Sequence, residues 1–224
     1  MNRSELLKAV EAVLASTGKS DGQIGLDFLM FDNDWIRGFN DTLSISYPIT
    51  TNITGAVKAL ELTKVLGKME GETLRVAKEN GKILIKDSKT TLKMTPLEVE
   101  SLTQFQVNIA SLNTDELKWE PLPKDFISGL AICLFSASNA PEIGALAGVS
   151  FSEDSIVSTD NRRITLFTMD EKIRPPFTLP TEAATEINKF KGGFTEISTT
   201  GAWAHFKDSN GMIVSVRKLV AEYP

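Results

Sequence analysis

The stretch GETLRVAKENGKILIKDSKTTLKM, residues 71–94, carries the pattern from which the fold is read. Asn80-Gly81 stands between two strand-like runs, 73–78 and 82–86, and this dipeptide supplies the two left-handed backbone positions that a tight antiparallel hairpin needs. A third run, 90–94, makes three short strands in succession. Upstream of them, 55–69 reads as a helix. Before that, the runs 24–31, 35–39 and 42–47 read as an antiparallel meander, parted by the turn formers Asp32-Asn33-Asp34 and Asn40-Asp41. The chain opens on a helix with Asn2 and Glu5 at capping-box spacing and with Leu6, Leu7, Val10, Val13 and Leu14 on one stripe.

The order helix, three strands, helix, three strands then occurs a second time. A helix over 123–138 turns Phe126, Ile127, Leu130, Leu134 and Ala137 inward. Strand runs follow at 148–151, 155–158 and 163–168. Pro180 and Thr181 open another helix through Phe190, proline being suited to a first helical turn. Three last strands cover 194–198, 202–207 and 212–216. The opening stretch has its echo here: hairpin Gly81 followed by Lys86-Asp87 matches Gly201 followed by Lys207-Asp208, once one residue is inserted. Repetition of both order and turn residues implies a duplicated unit. The predicted domains are 1–113 and 114–224, with the linker at 111–121. The fold class is α+β: each domain packs two helices on one face of an antiparallel sheet, and two such domains in tandem would form one curved sheet with the helices on a single side.

Composition limits what such a chain does. Of 224 residues, 42% are hydrophobic and 24% charged, which suits folded domains rather than disorder. With one cysteine there is no intrachain disulfide, and Cys133 and the one histidine, His205, make no zinc set. The charged N-terminal segment is no signal peptide, and no stretch reaches the length of an apolar membrane span. Cytoplasmic residence is the expectation. A net charge of −5 argues against a chain that coats nucleic acid with its whole surface, but it allows a local basic face.

No enzyme motif survives inspection. Thr17-Gly18-Lys19-Ser20 resembles the end of a phosphate-binding loop, yet Val13 stands where a glycine is required, and the strand and helix come in the wrong order. His205 lies in a strand pattern without triad partners, and Cys133 lies in an apolar helix, so both read as core. No carboxylate cluster has metal-site spacing. No catalytic residue, metal or cofactor is expected. The helices, in contrast, carry cations: Arg3 and Lys8 on the first, Lys58, Lys64 and Lys68 on the second, Lys189 and Lys191 at the end of the fourth. Gathered on one surface they would hold duplex DNA by phosphate charge, without sequence readout.

The second half carries a family resemblance. Leu146-Ala147-Gly148-Val149-Ser150-Phe151, followed by Ser158-Thr159-Asp160-Asn161-Arg162-Arg163-Ile164, resembles the bacterial DNA polymerase III beta subunit, the sliding clamp. In that family a glycine-led strand precedes an Ala-Thr-Asp-Gly-His-Arg-Leu turn, and Asn161 and Arg162 replace its glycine and histidine. Thr178-Leu179-Pro180 is similar to the family's entry into a helix. The segment from Ser215 to Pro224 is similar to its Ser-Arg-Leu-Ile-Asp-Gly-x-Phe-Pro run, with Ala221 and Glu222 in place of the aspartate-glycine step. The likeness covers nearly all of the second half; in the first it rests on element order and on 59–94.

The resemblance implies a head-to-tail ring with helices lining a hole for double-stranded DNA, sheets outside, and a groove that takes a short peptide from the polymerase and the clamp loader. The groove positions match Leu146, Thr159, Arg163, Ile164 and Pro224. Clamps of that family have three domains, so this chain is expected to be the first two, or else a two-domain, phage-like clamp that closes as a trimer. The alternative from another class is a duplicated-domain structural or assembly protein without DNA binding.

Overall fold

The structure is a computed structural model that describes residues 1–18, 26–140, 144, 146–190, 193–220 and 223. The chain divides into two compact units, 1–114 with 210–212, and 115–209 with 213–224.

In the first unit, α1 (Arg3–Leu14) starts where the Asn2 side chain accepts hydrogen bonds from the Ser4 and Glu5 amides, at 2.8 and 3.4 Å. It buries Leu6, Ala9, Val10 and Val13. Strands β1 (Phe28–Asp32), β2 (Trp35–Phe39), β3 (Leu43–Pro48) and β4 (Thr54–Lys58) lie antiparallel in the order β4-β1-β2-β3. The helix expected over 55–69 is shorter. Its first four residues belong to β4, which pairs with β1 over five positions, and α2 runs from Ala59 to Leu66. Pairing with a strand 26 residues upstream overrides the local helical pattern there. The run predicted over 24–31 begins in residues outside those described and is strand from Phe28 onward.

Strands β5 (Arg75–Glu79), β6 (Lys82–Lys86) and β7 (Thr91–Met94) form a three-stranded sheet. Asn80 and Gly81 have φ of 49° and 76°, as the hairpin requires. Asp87 fixes the next turn: its carboxylate accepts from the Lys89 amide at 2.8 Å and from the Gly71 amide at 3.1 Å. These amides, with that of Thr90 first among them, hold its carboxyl below the usual range.

A helix that the sequence pattern does not announce, α3 (Val99–Ala110), completes this unit. Gly38 faces α1, where an added Cβ would lie 2.8 Å from Val13 Cγ1. Arg37 and Phe39 alternate to the other face, as does Met30 opposite Arg37, and Met30 and Phe39 are nonetheless buried. Besides α1, the helix that packs on β2 is α3, which buries Phe105 and Ile109 and so covers that second face.

The second unit contains β8 (Glu120–Pro121), α4 (Phe126–Cys133) with a 3-10 turn at Leu134–Ser136, β9 (Gly148–Thr159), β10 (Ile164–Pro180), α5 (Thr181–Asn188), β11 (Glu196–Thr199), β12 (Trp203–Lys207) and β13 (Ile213–Arg217). The order β13-β12-β11-β8 makes one sheet, and β9 pairs with β10. Phe126 is the hub of the core, with ring centroids 5.1 Å from Phe151 and 5.5 Å from Phe206; Phe177 stacks on Phe151 at 4.8 Å. Each such buried ring contributes roughly 1.5–3 kcal/mol.

β9 is not straight. Glu153 has φ of 49°, and the register against β10 shifts on either side of it. A straight strand of this length would hold Gly148 and Thr159 about 36 Å apart. Yet Leu219 Cδ1 is 2.8 Å from where a Gly148 Cβ would sit, while the Tyr223 hydroxyl lies by the Thr159 backbone. Leu219 and Tyr223 can be separated by at most about 14 Å of chain. Even with both side chains added this falls short of a straight strand, and Phe151 and Ile156, an odd number of residues apart, both pack on α4, so the strand doubles back at Glu153-Asp154, as the separate runs 148–151 and 155–158 suggest.

Candidate functional site

Two places collect the candidate residues. The first is the helix pair of the first unit. α1 and α2 pack together, and Arg3 Nη1 donates to the Leu66 carbonyl at 3.3 Å. That guanidinium therefore closes the C-terminal end of α2, where the helix dipole favours a cation. Lys8, Lys64 and Lys68 are exposed and form no ion pair among the described residues. Lys58 lies 4.0 Å from both Asp27 and Glu61, a loose pairing that leaves it half in solvent. An open cleft of about 530 Å³ between α2 and β7 sets Lys58, Lys64 and Lys93 over an apolar floor of Phe28, Val65 and Leu92.

The helices of the second unit differ. Lys189 is tied to Glu186 at 2.6 Å, and Lys191 lies outside the described residues. Glu182 is exposed, and α4 presents Ile132 to solvent. Arg3 and Lys8 thus lie on α1, Lys64 on α2, and Lys58 and Lys68 just beyond its two ends, while Lys189 is locally neutralised.

The second place is the end of the β9–β10 ribbon. Because β9 doubles back, Leu146, two residues before Gly148, comes to the same end as Thr159, Arg163 and Ile164; Pro224 lies outside the described residues. The turn is rigid. Thr159 Oγ1 donates to the Arg163 carbonyl at 2.8 Å, and Asp160 accepts from the Arg162 and Arg163 amides at 3.0 and 2.9 Å and from Arg163 Nε at 2.9 Å. These bonds, the backbone ones foremost, draw the Asp160 carboxyl down to about 2. Ile164 pairs with Thr159 and stands 71% exposed, with Leu166 next to it on the same face at 62%. The alternate residues point to α4: Thr165 Oγ1 is 2.6 Å from Ser136 Oγ, and the Phe167 ring fills the space left by Gly129.

Three residues of this place escape a reading of the sequence. Leu166 extends the apolar strip, and period-two alternation from Ile164 is the signal that finds it. Tyr223 is half-buried against the turn, which pushes its hydroxyl above the usual phenol range. Phe135, in the 3-10 turn, is 71% exposed and carries the Arg163 guanidinium over its ring at 4.5 Å.

His205 and Cys133 are core residues here. His205 is fully buried, with Nδ1 2.8 Å from Ser215 Oγ and Nε2 3.4 Å from Thr200 Oγ1; burial, and then the Lys218 charge, lower it to about 4. Cys133 Sγ donates to the Ile156 carbonyl at 3.2 Å, and burial pushes the thiol up to about 11, far from a nucleophile. Among the described residues no His, Cys, Asp and Glu cluster could hold a metal ion, and no helix is long and apolar enough to cross a membrane.

No family model and no curated protein matches this sequence. Solved structures do match it, over 100% of the chain. The DNA polymerase sliding clamp of Bacillus subtilis is 17% identical with a TM-score of 0.79, and the DNA polymerase beta subunit of Streptococcus pyogenes is 18% identical with 0.80. The Helicobacter pylori beta clamp bound to a DNA ligase peptide is 15% identical with 0.77. The chain spans 65% of the length of the first two and 66% of the third. At such identities the likeness is one of fold, and the fold is that of the bacterial sliding clamp.

Proposed function

We propose that this chain works as a DNA sliding clamp, or as a piece of one: a non-enzymatic processivity factor of the cytoplasm that encircles duplex DNA and keeps a polymerase on it. The observation that carries the reading is the clamp fold along the whole chain, joined to a helix pair whose exposed lysines are unpaired among the described residues. Lys8, Lys64 and Lys68, with Lys58 beside them, would meet phosphates, so binding would ignore sequence and weaken steeply with salt. Encirclement would come from association of copies into a ring, head to tail.

Polymerase and clamp loader would dock by a short peptide at the end of the β9–β10 ribbon. A solved clamp of this fold takes a ligase peptide. Here Leu146 and Ile164 offer an apolar floor for a partner's leucine or phenylalanine, and Arg163 a charge.

Light scattering across protein concentrations, paired with duplex DNA retention across salt, tests the reading. A concentration-stable ring oligomer with steeply salt-dependent retention supports it. Defined oligomers that ignore DNA at every salt concentration point to an assembly protein instead. For the groove, Ile164→Asp should abolish binding of a leucine- and phenylalanine-bearing peptide without unfolding the chain, because the side chain is exposed; unchanged binding removes the groove from the proposal.

A further inference from the structure

Phe135 is an unusual residue to leave in water. Phe126, Phe151 and Phe206 of the same unit are fully buried, while Phe135 is 71% exposed on a short turn that the protein holds firmly. Within that turn Ser136 Oγ is 2.6 Å from Thr165 Oγ1, and just before it the Cys133 carbonyl accepts from Ser158. One face of the ring is covered by the Arg163 guanidinium at 4.5 Å. Arg163 is itself oriented from behind, since Asp160 engages its Nε at 2.9 Å and two backbone amides besides. That single side-chain bond employs Nε and leaves the Nη groups to a ligand, on a side chain that is 50% exposed. A guanidinium stacked on a ring and braced by a carboxylate is arranged to receive a second, planar anion edge-on. Arg162, exposed on the same turn, adds positive charge.

We infer that Phe135 and Arg163 together form an acid-recognising wall of the partner-peptide groove, which accepts an aspartate or glutamate carboxylate next to the apolar side chain seated at Ile164. This rests on the groove reading given above and deepens it: the occupant is an acidic, apolar linear peptide. Phe135 acts as a positioning residue that holds the guanidinium flat, and Arg163 makes the contact. Lysine cannot replace it, because an ammonium has neither the plane nor the fork.

The experiment uses two fluorescein-labelled octapeptides. Each bears a Leu-Phe pair; one flanks it with aspartates and the other with asparagines. Fluorescence polarisation is read for the wild-type chain, Phe135→Ala, Arg163→Lys and Ile164→Asp. The aspartate peptide should bind wild type about tenfold tighter than the asparagine peptide. Phe135→Ala and Arg163→Lys should each erase most of that preference by weakening the aspartate peptide far more than the asparagine peptide, with the thermal unfolding transition close to that of wild type, which loss of fold would not do. Equal preference in wild type and Phe135→Ala overturns the inference, and if Ile164→Asp still abolishes binding the groove stands without the wall. Failure of wild type to bind either peptide overturns the groove and the wall together.

Discussion

The two units build their helix pairs on the same plan and give them opposite surfaces. On α1 and from Lys58 to Lys68 there are five cations against three carboxylates. From Lys124 to Cys133 and from Thr181 to Lys189 there are two cations against three carboxylates, with Lys189 bound to Glu186 and Ile132 bare. The sheets differ as well. In the second unit a buried row of Ser198, His205 and Ser215 crosses three strands, whereas the paired β2 and β3 of the first carry Arg37 beside Ser46. The two units each pack a helix pair against strands, and their exposed residues differ where packing fixes nothing. If DNA is held here, the first unit should hold it, and if the protein responds to acid, the second should respond first.

The acid response is the larger effect. His205 titrates near 6.5 when unfolded and at about 4 when folded, because burial excludes the charged ring and Lys218 repels it. Its folded pKa is depressed, so the unfolded chain binds more protons between those values, and stability present above pH 6.5 is lost as pH falls toward 4. The full loss is about 3 kcal/mol, of which about 2 kcal/mol has gone by pH 5. Denaturant unfolding followed by Trp203 and Trp119 fluorescence, in a Trp35→Phe chain, should therefore weaken from pH 6.5 to 5. Amide hydrogen exchange in the first unit should change less over the same range, and His205→Gln should flatten the response of the second. Equal acid sensitivity in both units would break the contrast.

Charge reversal comes next. Lys64→Glu with Lys68→Glu should lower duplex DNA retention by about thirtyfold at moderate salt and reduce the salt slope by roughly two or more. Lys189→Glu should change retention by less than about twofold, its charge being already matched by Glu186. Comparable losses from the two units would show that the second contributes equally, and no loss from Lys64 and Lys68 would remove the basic helix face altogether.

The contrast also explains which features are legible in the sequence. Turns announce themselves through residues that tolerate positive φ, so Asn80-Gly81 is readable, and the polar step at Glu153-Asp154 divides one long strand into the two runs that its doubling back produces. Strand β4 is not readable, because what makes 55–58 a strand is its pairing with β1, a contact distant in sequence. α3 hides among the threonine, glutamine and asparagine of 99–110, where Phe105 and Ile109 mark a buried side. At the candidate sites, the lysines of α2 follow from helical spacing, but the commitment of the Arg3 guanidinium to the Leu66 carbonyl does not. Neither does Phe135, since an aromatic in an apolar helix gives no local sign that it faces water.

The smallest effect tests whether the second unit's core is independent of either surface. Cys133 packs beneath the β9–β10 ribbon, its Sγ 3.2 Å from the Ile156 carbonyl and 4.0 Å from that of Thr165. Removing the sulfur opens a void smaller than a methylene-rich side chain would leave, so Cys133→Ala should lower stability by about 1 kcal/mol in thermal or denaturant unfolding. DNA retention should not change, because the thiol faces the ribbon and the cations lie on the first unit. Peptide binding should fall little, because Ile164 and Leu166 point away from α4 while Thr165 and Phe167 point toward it. With its thiol held at about 11, Cys133 in the folded chain should also resist iodoacetamide at neutral pH and react once the chain is unfolded. A selective loss of peptide binding with stability intact would mean that the core side of the ribbon sets the shape of its outer face, and the division between packing and surface drawn from the two helix pairs would then fail in the second unit.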